Sequence, residues 1–93
     1  MINLFQKTST EINIDIAKRM VLLRKRKKLT QKELSAKADV SLGSLKRFEQ
    51  SGEISLQSFT KLAIALEVEE ELASLFSEVP FGSIEEVLSG QTK

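Results

Sequence analysis

From Leu29 to Glu53 the chain reads LTQKELSAKADVSLGSLKRFEQSGE, and the spacing there constrains the fold more than any other feature. Thr30 and Glu33 fit a capping box: hydroxyl and carboxylate each satisfy a backbone N–H that a helix's first turn leaves free. Leu34 and Ala38 follow one turn apart on an inner face. Asp39-Val40-Ser41 breaks the pattern, and Ser41 offers a second N-cap. Leu45 and Phe48 then form the inner face of a helix running to about Gln50, and Ser51-Gly52 ends it. Two short helices across a tight turn match a helix-turn-helix. They also match two ordinary amphipathic helices of a small bundle.

The flanking sequence is helical too. Ile16, Met20 and Leu23 lie on one stripe of a helix from Asp15 to about Lys27, and the basic run Arg24–Lys28 closes it, where the helix dipole favours positive charge. Met1–Ile14 reads as a short packing arm or strand, although Thr8-Ser-Thr-Glu11 fits a capping box that would start the helix earlier. Ser55 caps a fourth helix with the stripe Leu56, Phe59, Leu62, Ala63 and Leu66. Glu69 to Phe76 reads as a fifth, with acidic residues in its first turn. Val79-Pro-Phe-Gly82 breaks the chain, and Ser83-Ile-Glu-Glu86 opens a short terminal helix to Leu88. The expectation is an all-α protein: an arm over residues 1–14, a five-helix domain over 15–77 and a helical extension over 78–93.

The net charge of +1 conceals an asymmetry. Residues 1–50 hold twelve basic and five acidic side chains, a balance of +7, whereas residues 51–93 hold two and eight, a balance of −6. A basic half beside an acidic half points to a polyanionic partner on one side only, or to two solvated helix faces. The chain has no Cys and no His, which removes disulfides, zinc fingers, thiol chemistry and the commonest general base. Without a glycine-rich phosphate loop or a convincing acid pair, no enzyme, cofactor or metal site is expected. Glu69-Glu70-Glu71 is better read as helix N-terminal charge. No apolar run is long enough to span a membrane, and MINLFQK is not a signal peptide, so a soluble cytoplasmic protein is expected.

Gln31-Lys-Glu-Leu-Ser-Ala-Lys-Ala, Val40-Ser41, Leu45 and Phe48-Glu49 together resemble the helix-turn-helix of the Cro/C1 (XRE) repressor family. The resemblance covers about Ile16 to Phe76. It implies a five-helix, lambda-repressor-like domain that binds a pseudo-palindromic DNA operator as a homodimer, associated with the bacterial nucleoid when bound. Phe5-Gln6-Lys7 and the tail after the fifth helix also resemble HipB-type antitoxins, implying autoregulation of an operon and a HipA-like kinase toxin as partner. Two turns depart from the family pattern. Lys28 and Asp39 stand where glycine is usual; Asp tolerates the left-handed region fairly well and Lys less so, which points to a differently closed turn at Lys28.

The resemblance places Leu42, Gly43, Ser44, Lys46 and Arg47 against base edges. Arg47 suits a bidentate contact to guanine O6 and N7, and Leu42 suits a thymine methyl. Gly43 lowers helix propensity by roughly 1 kcal/mol. Either the backbone approaches DNA there, or the glycine fits a crowded helix contact. The resemblance puts Thr30, Gln31, Lys32 and Gln50 near phosphates, and pairs Arg24 with Glu49 as a structural clamp between the first and third helices. Lys25, Arg26, Lys27 and Lys28 add nonspecific phosphate attraction or a soluble face. Because Leu42 and Gly43 give a sparse reading edge, a second function class stands beside the repressor: a protein-interaction module that uses its acidic C-terminal half.

Overall fold

The computed structural model describes residues 6–78, and all regular structure among them is helical. Five helices follow in order: α1 (Ser9–Arg26), α2 (Gln31–Ala38), α3 (Leu42–Ser51), α4 (Leu56–Ala65) and α5 (Glu69–Ala73). The expected terminal helix near Ser83–Leu88 and the first five residues of the expected arm lie outside the described residues.

The arm expected over residues 1–14 gives way to helix from Ser9 onward. The Thr8 capping box prevails: Glu11 N–H donates to Thr8 Oγ1 at 3.1 Å, and Thr8 N–H donates to Glu11 Oε1 at 3.3 Å. The added turns also have something to pack on, because the Asn13 backbone lies against Gly52 at the end of α3. Lys7 pairs with Asp15 beside this start, and that bond holds the Asp15 carboxyl below its ordinary range.

α1 packs on α3, α2 on both α3 and α4, and α4 on α5. The core between them is aliphatic. Phe48, Leu34, Leu45, Leu62 and Leu66 are its largest fully buried side chains, with Ala17, Met20, Ala38, Val40 and Ala65 filling the gaps. Each buried Leu or Phe contributes roughly 1.5–3 kcal/mol. Phe48 meets Phe59 edge-to-face, with centroids 5.6 Å apart. Leu56 departs from the expected α4 stripe: it is exposed, while Ala65 takes an inward place.

Three turns close in the same way. Lys28, Asp39 and Glu67 all adopt the left-handed conformation, with φ of 58°, 56° and 63°. At each, the N–H of the residue after the left-handed one bonds back six-to-one: Leu29 to Arg24 O, Val40 to Ser35 O and Val68 to Ala63 O. This is the Schellman arrangement, in which an apolar residue follows the left-handed one. Leu29, Val40 and Val68 accordingly pack in or against the core. The turn at Lys28 is therefore closed as a glycine turn would be, and the different closure expected there is not found.

Candidate nucleic-acid interface

α3 is held from behind and open in front. Leu45 and Phe48 fix one face in the core, leaving Gly43, Ser44, Lys46 and Arg47 exposed on the other. Ser41 starts the helix: its Oγ accepts the Ser44 N–H at 3.1 Å and donates to Ser44 Oγ at 2.8 Å. A Cβ built on Gly43 meets nothing within 4 Å, so the crowded-contact explanation for this glycine fails among the described residues. Gly52 is the opposite case. Its φ is +76°, and a Cβ there lies 2.7 Å from the Asn13 carbonyl carbon. One glycine is demanded by packing, and the other stands at an open surface.

Leu42 differs from expectation. Expected to be available to a thymine methyl, it is half-buried in the first turn, which leaves less of it for that contact. Arg47 is exposed, but it is not free. Its Nε donates to Glu53 Oε2 at 3.0 Å, and its Nη2 donates to the same oxygen. Sequence reasoning missed Glu53, because a partner six positions away across a helix end is invisible to the three- and four-residue spacing rule.

The second half of the candidate surface is the start of α2. Thr30 Oγ1 accepts the Glu33 N–H at 3.0 Å, and Thr30 N–H donates to Glu33 Oε1 at 2.9 Å. Accepting from the Thr30 backbone N–H first, and from the Thr30 side chain, holds the Glu33 carboxyl below its ordinary range. With Glu33 N–H capped, the helix geometry leaves the N–H groups of Gln31 and Lys32 without an intrahelical acceptor, a donor pair suited to a phosphate oxygen. The Gln31 side chain is otherwise engaged: Nε2 donates to Glu49 Oε1 at 2.8 Å. Any phosphate contact from Gln31 in this arrangement falls to its backbone. Thr30, Lys32 and Gln50 are exposed.

Behind this surface Arg24 joins three elements. Its Nε and Nη2 donate to Glu49 at 2.8 and 3.1 Å, and its Nη1 donates to Leu29 O at 2.9 Å. Both side chains are nearly buried, at 10% and 8% exposure. The clamp therefore ties α1 to α3 and to the turn leading into α2. Among the described residues, no buried side-chain polar atom lacks a partner.

The basic run after Arg24 is divided. Lys25, Arg26 and Lys28 are exposed, whereas Lys27 reaches across to Glu67 at 2.6 Å and lowers the Glu67 carboxyl pKa. Leu56 and Ile64 on α4 and Leu75, two residues past the end of α5, are exposed and border one shallow depression with Leu72. Among the described residues, no helix is long and apolar enough to cross a membrane.

A capped helix, a left-handed turn at Asp39 and a second helix with an open first turn form a helix-turn-helix in geometry as well as in pattern. The family model described as helix-turn-helix matches residues 22–72, and the chain belongs to that family, of the Cro/C1 (XRE) type. It is a DNA-binding transcriptional regulator with a lambda-repressor-like all-α fold. No curated relative matches the chain.

Proposed function

We propose that this protein is a sequence-specific transcriptional repressor that binds a pseudo-palindromic operator in double-stranded DNA as a homodimer. The observation that carries this is the open edge of α3: Gly43, Ser44, Lys46 and Arg47 face outward from a helix whose other side is locked by Leu45 and Phe48. Gly43 lets the helix backbone come close to the duplex, since nothing among the described residues occupies that side. Arg47 and Lys46 read base edges, Ser44 bonds an edge or a phosphate, and half-buried Leu42 adds apolar contact at the rim. The exposed Thr30, Lys32 and Gln50 side chains and the Gln31 N–H fix the register on phosphates. The role is binding and not catalysis, which accords with the absence of His and Cys.

A second copy of the chain is the proposed occupant of the α4–α5 apolar face. Leu56 and Ile64 on α4 and Leu75 just past α5 are 73%, 56% and 53% exposed, a concentration of apolar surface that a DNA-binding face does not use. Dimerisation would present two α3 helices to half-sites about one helical turn apart. Ile64→Glu should convert a dimer to monomers in sedimentation velocity and weaken operator binding without unfolding the chain.

The resemblance at Phe5-Gln6-Lys7 and the tail supports a narrower role: an antitoxin that represses its own operon, bound to a HipA-like kinase toxin. The site of action would then be cytoplasmic, on the bacterial nucleoid. The acidic cluster Glu69-Glu70-Glu71, exposed at the start of α5, favours a protein contact on the side away from α3 and supports the interaction-module role. An antitoxin would combine both.

The deciding experiment is fluorescence anisotropy of the purified protein with DNA from upstream of its own gene, at two salt concentrations, with unrelated DNA as control. Specific binding that weakens steeply with salt supports the repressor. Equal binding to both DNAs leaves only a nonspecific anchor. No binding to either transfers the function to the acidic face.

A further inference from the structure

Arg47 is the end point of a closed ring of hydrogen bonds. Its guanidinium donates from Nε and Nη2 to Glu53 Oε2. Glu53 N–H donates to Ser51 Oγ at 3.3 Å, and Ser51 Oγ donates to the Arg47 carbonyl at 2.7 Å. The ring is anchored at Gly52, whose left-handed conformation is pressed against the Asn13 backbone, and at Ile54, which packs on the core. The position of Glu53 is thus set by the backbone of the α3 end and by α1.

We propose that Glu53 is the specificity-determining partner of Arg47: it aims the guanidinium at a guanine and withholds it from phosphates. This rests on the operator-binding role proposed above. A guanidinium has five N–H donors in a rigid fork. Glu53 occupies the Nε side and one Nη2 hydrogen, leaving Nη1 and the second Nη2 hydrogen at the tip. That tip is the end-on fork that spans guanine O6 and N7. A free arginine on a mobile side chain serves any phosphate it meets, and each such contact adds sequence-independent affinity. The carboxylate opposes this in two ways. Paired with the guanidinium, it offsets part of the attraction that draws Arg47 to the backbone, and it occupies the Nε side of the fork that a phosphate would otherwise take. The pair is exposed, so it contributes little to folding. Glu53 acts through Arg47 and is a positioning residue.

The test is selection of binding sites from a randomised duplex library by wild type, Glu53→Ala, Glu53→Gln, Arg47→Ala and the Arg47→Ala/Glu53→Ala double variant. Affinities are then measured for the selected site and for unrelated DNA, with thermal melts to verify folding. Glu53→Ala should bind unrelated DNA more tightly, steepen the salt dependence by up to about one phosphate contact, and lower the ratio of selected to unrelated affinity roughly tenfold. Glu53→Gln, which keeps an acceptor for Arg47, should retain much of the guanine preference. In the Arg47→Ala background, Glu53→Ala should leave the ratio unchanged.

An unchanged ratio in Glu53→Ala, with wild type still selecting a defined site, overturns the proposal alone. So does an equal fall in the Arg47→Ala background, which would make Glu53 a base reader itself or a general charge effect. Failure of wild type to select any site overturns the operator-binding role, and the proposal falls with it.

Discussion

Arg24 and Glu49 meet with Nε 2.8 Å from Oε2, nearly out of solvent, and Glu49 also accepts the side chain of Gln31. One carboxylate thus joins α1, α2 and α3, and it does so directly behind the edge proposed to read DNA. The two halves of the candidate interface, the start of α2 and the exposed side of α3, are held in one geometry by this contact. Arg24→Ala strands a buried carboxylate and should cost about 3–5 kcal/mol, a large part of a small domain's stability. Replacing both partners, as Arg24→Met with Glu49→Leu, should cost far less, because no charge is left unpaired. Urea denaturation of the three proteins measures the difference. Equal losses in the single and double variants would reduce the pair to ordinary packing.

Gly43 and Gly52 should respond to alanine with opposite signs. Gly43→Ala adds helix propensity where nothing crowds the new methyl, and should stabilise the fold by up to about 1 kcal/mol. The same methyl should weaken operator binding by standing between the helix backbone and the duplex. Gly52→Ala combines a left-handed φ with an atom 2.7 Å away, and should destabilise by more than the roughly 1–2 kcal/mol of the conformation alone. Thermal melts and anisotropy on both variants check this. A Gly43→Ala protein that is more stable and binds DNA as before would remove the close-approach role of Gly43.

The starts of α2, α3 and α4 were legible in the sequence because they are written chemically. The start of α1 is written in the same way, although an arm was expected there, and α5 has no side-chain cap. Thr8, Thr30, Ser41 and Ser55 each accept a backbone N–H of the first turn. Apolar spacing located Leu34, Leu45, Phe48 and Leu62 in the core for the same reason. The helix ends were less legible. Lys28-Leu29, Asp39-Val40 and Glu67-Val68 are the same device, a charged residue in the left-handed region followed by an apolar one that docks on the core, but without glycine the signal is faint. In the candidate site, side-chain identity showed what could donate, and only geometry showed what was already taken. Gln31 is held by Glu49, Arg47 by Glu53 and Lys27 by Glu67, over separations no helical spacing rule covers.

Those left-handed ends give a direct stability prediction. Lys28→Gly removes a conformational cost of about 1–2 kcal/mol and adds a chain-entropy cost of about 0.5–1 kcal/mol. The expected net gain is roughly 0.5–1 kcal/mol, seen as a higher midpoint in urea. Asp39→Gly should gain less, since Asp tolerates this region better. Its contact with Lys61, at 3.8 Å between exposed groups, contributes little to offset the change. A larger gain at Asp39 than at Lys28 would reverse the assignment of strain.

Acid should loosen the start of α2 before it reaches the core. The Glu33 carboxyl is held low by accepting from the Thr30 backbone N–H and side chain, so its folded pKa lies below its unfolded one. A group depressed in this way adds stability that is fully present above the unfolded pKa and is lost as pH falls through the folded one. Asp15 and Glu67 are lowered by Lys7 and Lys27 and lose their contributions in the same acid window. Glu33→Gln keeps an acceptor for the Thr30 N–H but cannot titrate. Wild type should therefore be more stable than Glu33→Gln at neutral pH, and the gap should close as pH drops below the ordinary glutamate range. Melting temperatures of both proteins across stepped pH measure that gap directly. A constant gap would mean that the capping box stabilises α2 through the hydrogen bond alone and that the negative charge of Glu33 adds nothing.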